Sequence, residues 1–408
     1  MRILLIICFF CVSHAIKADE EKRAIQVTQD NVRYLYLPND KGVVCTGFAD
    51  TSKTCNRLII PDSILVNGEN WSVTTINVNA FKGRKNLQYV KLPNTLLYIL
   101  SEAFADCENL DSIYIPASVT KLGEKAFANI KKLKHITIPK SLRSIGSDCF
   151  YNCNNLSSVS FEDNIDSKSN GLKILLGAFS LCMNITNVSL PNRLDSIGPA
   201  VFAECNKLES IYIPDRVCFI SKHLFANCKS LKSIIVSPNN KVYDSRDNCN
   251  AIIETKTNKL IAGCNSTVIP NSIDTICMGA FTLADIDSIY IPNGVKYIEY
   301  TAFFKSKIRS VVIPKSVTEM EAGSFAFCRN LRSMYLGHTT PPEIEDLASL
   351  TEDDMKEILT TEEEKDEDET VGFSYLKYLK NVCVYVPKIA YKKYKKHPIW
   401  KQLRIMPY

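Results

Sequence analysis

The sequence predicts a solenoid of mainly β-structure, in which repeats of about 23 residues stack along one axis and share a long parallel sheet. Three observations predict it: a phenylalanine that recurs at nearly constant intervals, a strand-like motif ending in proline before it, and non-repeating segments at both ends. A fixed period in the twenties is typical of stacked repeat proteins. A single unit of this kind cannot bury its own apolar side, so neighbouring units supply the core.

The recurring phenylalanine, which often follows alanine, sets the phase of the repeat. Aligned on it, the units follow one another at steps of 23, 23, 23, 29, 23, 23, 56, 22 and 22 residues. The aligned residues are Phe81, Phe104, Phe127, Phe150, Phe179, Phe202, Phe225, Phe281, Phe303 and Phe325. The step of 29 contains a polar stretch at 162–173, which predicts a surface loop. The step of 56 contains β-prone runs, which predict a β-hairpin inserted at about residues 237–270.

Each unit contains a strand with alternating apolar residues, such as Leu110-x-x-Ile113-x-Ile115. The apolar members of such a strand face one side, and the residues between them face the other. A proline follows and ends the strand, because it cannot donate the next ladder hydrogen bond. A second apolar pair, Val119 and Leu122 in this unit, predicts a short second strand or turn.

The N-terminus predicts export. Arg2 is followed by an apolar run over residues 3–12 and then by a small-x-small site, which is typical of a cleaved secretory signal at residues 1–15, or up to 18. The run is too short to span a bilayer, so we expect no transmembrane segment and a secreted or cell-surface protein. A lipid anchor on Cys11 is disfavoured, because bulky phenylalanines precede it.

Four further regions follow the signal. We expect an N-terminal β-cap at 19–78, the solenoid at 79–340, an acidic flexible insertion at 343–370 and a basic C-terminal capping segment at 371–408. Residues 343–369 carry a net charge of −12, and residues 371–408 carry +9. Opposite charges this close in sequence can pair internally, so the basic segment does not predict a nucleic-acid partner.

The repeat motifs resemble a known family. The units "IPASVTKLGEKAF" and "IPKSLRSIGSDCFYNCNNL" are similar to the BspA-like, Treponema-type leucine-rich repeats, and the ending "TTPPEI" with "VYVPKIAYKKYKKHPIW" resembles the C-terminal module of such proteins from Bacteroides relatives. The likeness covers about residues 71–408 without the acidic insertion. It implies a leucine-rich-repeat solenoid on a secreted or surface protein, with adhesion or protein–protein interaction as its function and no common catalytic residues.

Six of the fourteen cysteines beyond the signal share one phase, three residues after the repeat phenylalanine. They are Cys107, Cys153, Cys182, Cys205, Cys228 and Cys328. This phase predicts a structural ladder of small buried side chains, since free cysteine packs as a small apolar residue. Cys45 with Cys55, and Cys249 with Cys264, lie outside the phase and flank turns, so these two pairs are the candidate disulfides of an exported protein.

The sequence predicts neither an enzyme nor a cofactor or metal site. The four histidines beyond the signal are scattered, and no metal-ligand, nucleophile or phosphate-binding motif occurs. We therefore expect a binding protein.

The outward strand positions form the candidate ligand-binding surface. They give a row of small hydroxyl residues beside a broken row of tyrosines. The candidate residues are Tyr89, Lys91, Tyr114, His135, Tyr212, Tyr290 and Tyr335. Aromatic residues also favour exposed strands for packing alone, so a structural role is the alternative. The expected ligand is a host or matrix protein. A glycan, which tyrosine rings can also contact, is the other ligand class.

Overall fold

The protein is a parallel β-solenoid of about 13 coils with repeats of about 23 residues. The computed structural model describes residues 25–36, 42–52, 55–163, 171–321, 323–345, 379 and 381–408. The fold class expected from the sequence is therefore confirmed.

Antiparallel strands cover the N-terminal end of the solenoid. The strands of this region are β1 (Ile25–Gln29), β2 (Val32–Tyr36), β3 (Val43–Phe48), β4 (Arg57–Ile59), β5 (Ser63–Val66) and β6 (Glu69–Ile76). Strands β1, β2 and β3 pair antiparallel, and β3 pairs parallel with β6. The change from antiparallel to parallel pairing marks where the coils begin.

Two strands per coil build the first array. These are β7 (Tyr89–Lys91), β8 (Tyr98–Ile99), β9 (Ser112–Ile113), β10 (Lys121–Leu122), β11 (His135–Ile138), β12 (Ser144–Ile145), β13 (Ser158–Phe161), β14 (Leu172–Ile174), β15 (Asn187–Val188), β16 (Leu194–Ile197), β17 (Ser210–Ile213), β18 (Phe219–Ile220) and β19 (Ser233–Val236). The odd-numbered strands of this array form what we call the strand face, and all of them except β13 are followed within three residues by a proline. The even-numbered strands form the second face.

An antiparallel hairpin interrupts the array. This region contains β20 (Tyr243–Asp244), the 3-10 turn η1 (Arg246–Asn248), β21 (Ala251–Glu254) and β22 (Lys259–Gly263). Strands β21 and β22 pair antiparallel, and β22 then pairs parallel with the next coil. The apolar core divides here into two clusters, one ending at Cys264 and the other beginning at Cys249. The hairpin contributes side chains to both.

The second array and the C-terminal end complete the solenoid. Their elements are β23 (Thr275–Ile276), β24 (Ser288–Tyr290), β25 (Tyr297–Ile298), β26 (Ser310–Ile313), β27 (Glu319–Glu321), β28 (Ser333–Leu336), β29 (Glu343–Glu345), β30 (Cys383–Val386), α1 (Tyr391–Lys396), η2 (Trp400–Gln402) and β31 (Arg404–Pro407). Tyr394 and Trp400 are fully buried against the last coils. The Trp400 indole donates a hydrogen bond to the Pro342 carbonyl at 3.1 Å.

The strand face is divided, while the second face carries the longest sheet. The strand face consists of three ladders, β4-β7-β9, β11-β13-β15-β17-β19 and β24-β26-β28-β30-β31. In the second array it is therefore the even-numbered strands, with β31, that lie on the strand face. The second face has an eleven-stranded sheet from β1 to β18 and a seven-stranded sheet from β20 to β29. The hairpin region accounts for the gap between the two arrays on both faces.

The third side of each coil, which we call the turn side, holds the repeat phenylalanine. It carries no strand, but its backbone still bonds to the next coil, as from Phe104 N to Ala126 O at 2.8 Å. Glu102 and Asp106 lie on either side of Phe104 with φ of 56° and 61°. This left-handed conformation is uncommon outside glycine, and it closes consecutive tight turns. The phenylalanine rings stack from coil to coil, with centroids 5.3 to 6.2 Å apart between Phe81 and Phe225.

The lengthened coil at 162–173 is bridged by a buried arginine. Arg193 is 1% exposed, and its guanidinium donates to the Leu142 carbonyl at 2.6 Å and the Pro139 carbonyl at 3.0 Å. Both acceptors belong to the coil before the lengthened one. The long side chain therefore adds a direct link between the two coils on either side of the lengthened one, which β14 also connects by strand pairing.

Candidate recognition surface

The strand face presents its intervening residues to solvent because the strand period is two. In the unit at 112–115, Ile113 and Ile115 are buried, whereas Tyr114 is 61% exposed. The same alternation places Tyr212 and Tyr290 outside, at 46% and 64% exposure. Side chains from successive coils thus form two rows along the face.

In the second array, the strand register aligns five outward apolar residues, three of which are tyrosines. We call this set the aromatic row. Its members lie opposite one another on successive strands: Tyr290, Val312, Tyr335, Tyr385 and Met406. A second row runs beside it: Ser288, Ser310, Ser333, Cys383 and Arg404. Adjacent strands are about 4.8 Å apart, so five aligned residues extend over about 19 Å.

Part of the aromatic row is pre-ordered by ring contacts. The Tyr335 and Tyr385 rings stack with centroids 4.6 Å apart and planes 11° from parallel, and Tyr408 meets Tyr335 edge-on at 6.3 Å. Each stacked ring covers one face of the other. Ordered rings lose less conformational freedom when a ligand binds, so this end of the row is suited to recognition.

In the first array, the candidate residues lie in separate groups. Tyr89 lies under the Arg57 guanidinium at 4.2 Å, and Lys91 is opposite the exposed Ile59. His135 is exposed, with its Nδ1 2.6 Å from the Ser158 hydroxyl on the next coil.

Polar outward residues separate these groups from Tyr212. The strands between β11 and β17 carry Ser158, Ser160 and Asn187 at outward positions. Tyr212 lies opposite Ile235, which is 50% exposed. The structure therefore places all seven candidate residues on the strand face but brings them together only in small groups.

Tyr385 and Met406 were missed as candidates. Their coils follow the acidic insertion, where the phenylalanine phase no longer applies. The run "VCVYVP" does carry the same alternation as "SIYIP", so the strand motif was the signal that could have found Tyr385.

The six cysteines that follow the repeat phenylalanine by three residues are buried. Each thiol lies within hydrogen-bonding distance of the phenylalanine carbonyl of the preceding coil. The Sγ to oxygen distances are 3.2 Å for Cys107 to Phe81, 3.2 Å for Cys153 to Phe127, 3.1 Å for Cys182 to Phe150, 3.3 Å for Cys205 to Phe179, 3.0 Å for Cys228 to Phe202 and 3.0 Å for Cys328 to Phe303. Each thiol satisfies a carbonyl on the turn side while filling a small apolar space. Cysteine suits this position because it is both apolar and a weak donor.

These thiols are poorly suited to nucleophilic chemistry. Burial raises the pKa of Cys107 and Cys153 to about 12 and raises the pKa of Cys205 well above its ordinary value. The thiolate is the reactive form, and a thiol with such a pKa is almost wholly protonated at neutral pH.

The two candidate disulfide pairs are not joined in this structure. All fourteen cysteines of the described region are free thiols. Cys249 Sγ lies 3.9 Å from the Ala251 carbonyl, and Cys264 Sγ lies 3.5 Å from the Asn250 carbonyl. The pairings of Cys45 with Cys55 and of Cys249 with Cys264 stay predictions.

The described part of the chain contains neither a metal-binding cluster nor a membrane-spanning helix. Within it, no group of three histidine, cysteine or acidic residues is arranged to hold a metal ion. No helix there has the length and apolar character needed to cross a bilayer.

Stacked coils, a phenylalanine column and a parallel strand face together define a leucine-rich-repeat solenoid. The chain belongs to the family described as the BspA type leucine-rich repeat region, whose profile matches residues 69–172, 172–265 and 252–349. No curated protein matches the chain.

One solved structure shows the same fold, and two others are less similar. The pneumococcal vaccine antigen PcpA superposes with a TM-score of 0.55 at 16% identity, covering 94% of this chain and 98% of that chain. A leucine-rich cell-surface protein from Faecalibacterium prausnitzii gives 0.48 at 20% identity, covering 76% and 94%. A leucine-rich-repeat protein from Bacteroides ovatus gives 0.38 at 20% identity, covering 78% and 99%.

Proposed function

We propose that this protein is secreted or displayed on the cell surface, where its strand face binds a host or matrix protein in adhesion. The observation that supports this most is the aromatic row with the three serines beside it, Ser288, Ser310 and Ser333. Tyrosine beside serine is the composition of antibody paratopes, and tyrosine and methionine are enriched at protein interfaces in general. The apolar run at residues 3–12, which is typical of a secretory signal, supports export of this chain.

The aromatic row is also long enough for a protein contact. Its length of about 19 Å, together with the neighbouring row, matches an extended segment of about six residues, because a strand rises about 3.3 Å per residue. The stacking of Tyr335 on Tyr385 leaves fewer open ring faces than separated tyrosines would. Sugar recognition by stacking needs open ring faces, so this contact favours a protein ligand.

The test starts with a binding screen of the purified chain against immobilised matrix proteins and a glycan array. We expect capture by at least one matrix protein. In the variant Tyr290→Ser, Val312→Ser, Tyr385→Ser, the affinity for that protein should fall about tenfold or more, because a few buried aromatic residues carry most of the binding energy of an interface.

The matched control is Tyr98→Ser, Phe219→Ser, which removes exposed aromatics from the second face. Both side chains are outward on β8 and β18, at 38% and 54% exposure. This variant should bind as the unaltered protein does. Capture by glycans alone would contradict the proposal and support the glycan alternative, and equal losses in the two variants would exclude the strand face as the site.

A further inference from the structure

We propose a second binding surface, on the C-terminal end of the solenoid, that takes an anionic polysaccharide such as a sulfated or phosphorylated glycan. It is formed by the exposed cations of α1 and the segments beside it, which we call the basic end. Its members are Lys388, Lys392, Lys393, Lys395, Lys396, Lys401 and Arg404.

The basic end differs in charge pairing from the rest of the described solenoid. Along the coil edges, lysines pair with carboxylates on the neighbouring coil, as in Lys85 with Glu108 at 2.8 Å and Lys307 with Asp285 at 3.0 Å. Among the residues whose side chains the structure describes, which exclude 343–345, no aspartate or glutamate lies within 4.0 Å of any cation of the basic end. Residues 371–408 also contain no acidic residue.

The arrangement is costly for the helix unless an anion compensates it. Four of the six residues of α1 are lysines. Lys392 lies three positions before Lys395 and four before Lys396, and Lys393 lies three positions before Lys396. Residues at these spacings are neighbours on a helix, so their like charges repel one another. Only Lys395 has a described partner, the Tyr391 ring at 5.9 Å. Several cations at fixed spacing fit an extended polymer that carries repeated negative charges.

The packing of α1 fixes these charges in place and disfavours a lipid bilayer as the partner. Tyr394 forms the apolar side of the helix together with Ala390, the residue just before α1, and both are fully buried in the solenoid. Trp400 packs edge-on to Tyr394 with ring centroids 5.6 Å apart. A helix that lies in a membrane interface inserts its apolar side into the lipid, and here that side is already occupied.

The test measures binding of the full chain to dextran sulfate, with neutral dextran as the reference, at low salt. We expect binding to dextran sulfate only, weakening steeply as salt rises. The variant Lys392→Gln, Lys393→Gln, Lys395→Gln, Lys396→Gln should bind about tenfold or more weakly, because it removes four clustered contacts with the polyanion. Glutamine has a helix propensity close to that of lysine, so α1 should be retained, and circular dichroism checks this.

Two further variants separate the basic end from bulk charge and from misfolding. Replacing Lys121, Lys140, Lys173 and Lys256 by glutamine changes the net charge equally at exposed sites elsewhere, and this variant should keep its affinity within about threefold. Arginine at the four α1 positions should preserve binding, since it keeps the charge.

Three results would overturn the proposal. They are the absence of binding by the full chain, an equal loss in the control variant, and binding to anionic vesicles or duplex DNA as tight as binding to dextran sulfate. The strand-face variants of the proposed function leave all seven cations in place, so the two proposals can fail independently.

Discussion

Replacing Phe150 by alanine tests the phenylalanine column on which coil stacking depends. Phe150 is fully buried, between Phe127 at 5.4 Å and Phe179 at 5.3 Å, with ring planes within 10° of parallel. Burial of the side chain contributes about 2–3 kcal/mol, and two ring pairs add about 0.5–1.5 kcal/mol each. These contributions add to about 3–6 kcal/mol, and phenylalanine deletions in cores cost about 3–5 kcal/mol. We therefore expect the free energy of unfolding to fall by about 3–5 kcal/mol.

The assay is urea unfolding followed by circular dichroism, and the matched control is Phe219→Ala. Phe219 is 54% exposed on the second face, so its removal should change the free energy of unfolding by about 0.5 kcal/mol or less. A loss below about 1.5 kcal/mol for Phe150→Ala would refute the reasoning, because the column would then not be what holds neighbouring coils together.

Three other predictions concern buried polar groups. At pH 8 in the folded protein, iodoacetamide should label the exposed Cys218 but not Cys153, because burial raises the pKa of Cys153 to about 12. The labelled peptides are followed by mass spectrometry, and labelling of both cysteines at equal rates would contradict this prediction. His338 is buried with Nε2 2.5 Å from the Val317 carbonyl, and burial lowers its pKa. The histidine of the unfolded chain is therefore protonated at a higher pH than that of the folded protein. The free energy of unfolding should fall as the pH drops below about 6.5, by up to about 1.4 kcal/mol per pH unit. In denaturant unfolding at pH 7 and pH 5, the variant His338→Gln should lose less stability than the unaltered protein, and an equal loss would exclude His338. Arg193→Ala should lower the free energy of unfolding by about 3 kcal/mol or more, since it leaves a cavity and removes the hydrogen bonds to the Leu142 and Pro139 carbonyls, of which only the Pro139 carbonyl keeps another, from the Leu142 N–H. Arg216→Ala at a half-exposed ion pair should cost at most about 1 kcal/mol, and equal costs would contradict the bridging role.

The coil and its phase could be predicted from the sequence because they repeat. Constant spacing of the phenylalanines fixed the unit length, and alternation in runs such as Ser112–Ile115 separated buried from outward residues. The family likeness then agreed with the pattern. The phase of Cys205 likewise predicted a buried ladder.

The remaining features depend on contacts between coils, which the pattern of one unit does not contain. The sequence predicts that Cys205 packs as a small apolar residue. Only the stacked coils show that its thiol lies next to the Phe179 carbonyl. Arg193 occupies a position where two earlier units have Ser118 and Ser141 and the next unit has the half-exposed Arg216, so nothing local predicts its burial. Tyr385 joins the aromatic row through a strand that the acidic insertion separates from the repeats.

The most direct test of strand-face recognition is oxidative footprinting of the tyrosines with and without the matrix protein captured in the binding screen. Tyr114, Tyr212 and Tyr290 lie on the strand face, and Tyr98, which serves as the internal reference, is outward on the second face. Strand-face recognition predicts that ligand slows oxidation of at least Tyr290 and leaves Tyr98 unchanged. Protection of Tyr98 with unaltered oxidation of all three strand-face tyrosines would contradict it.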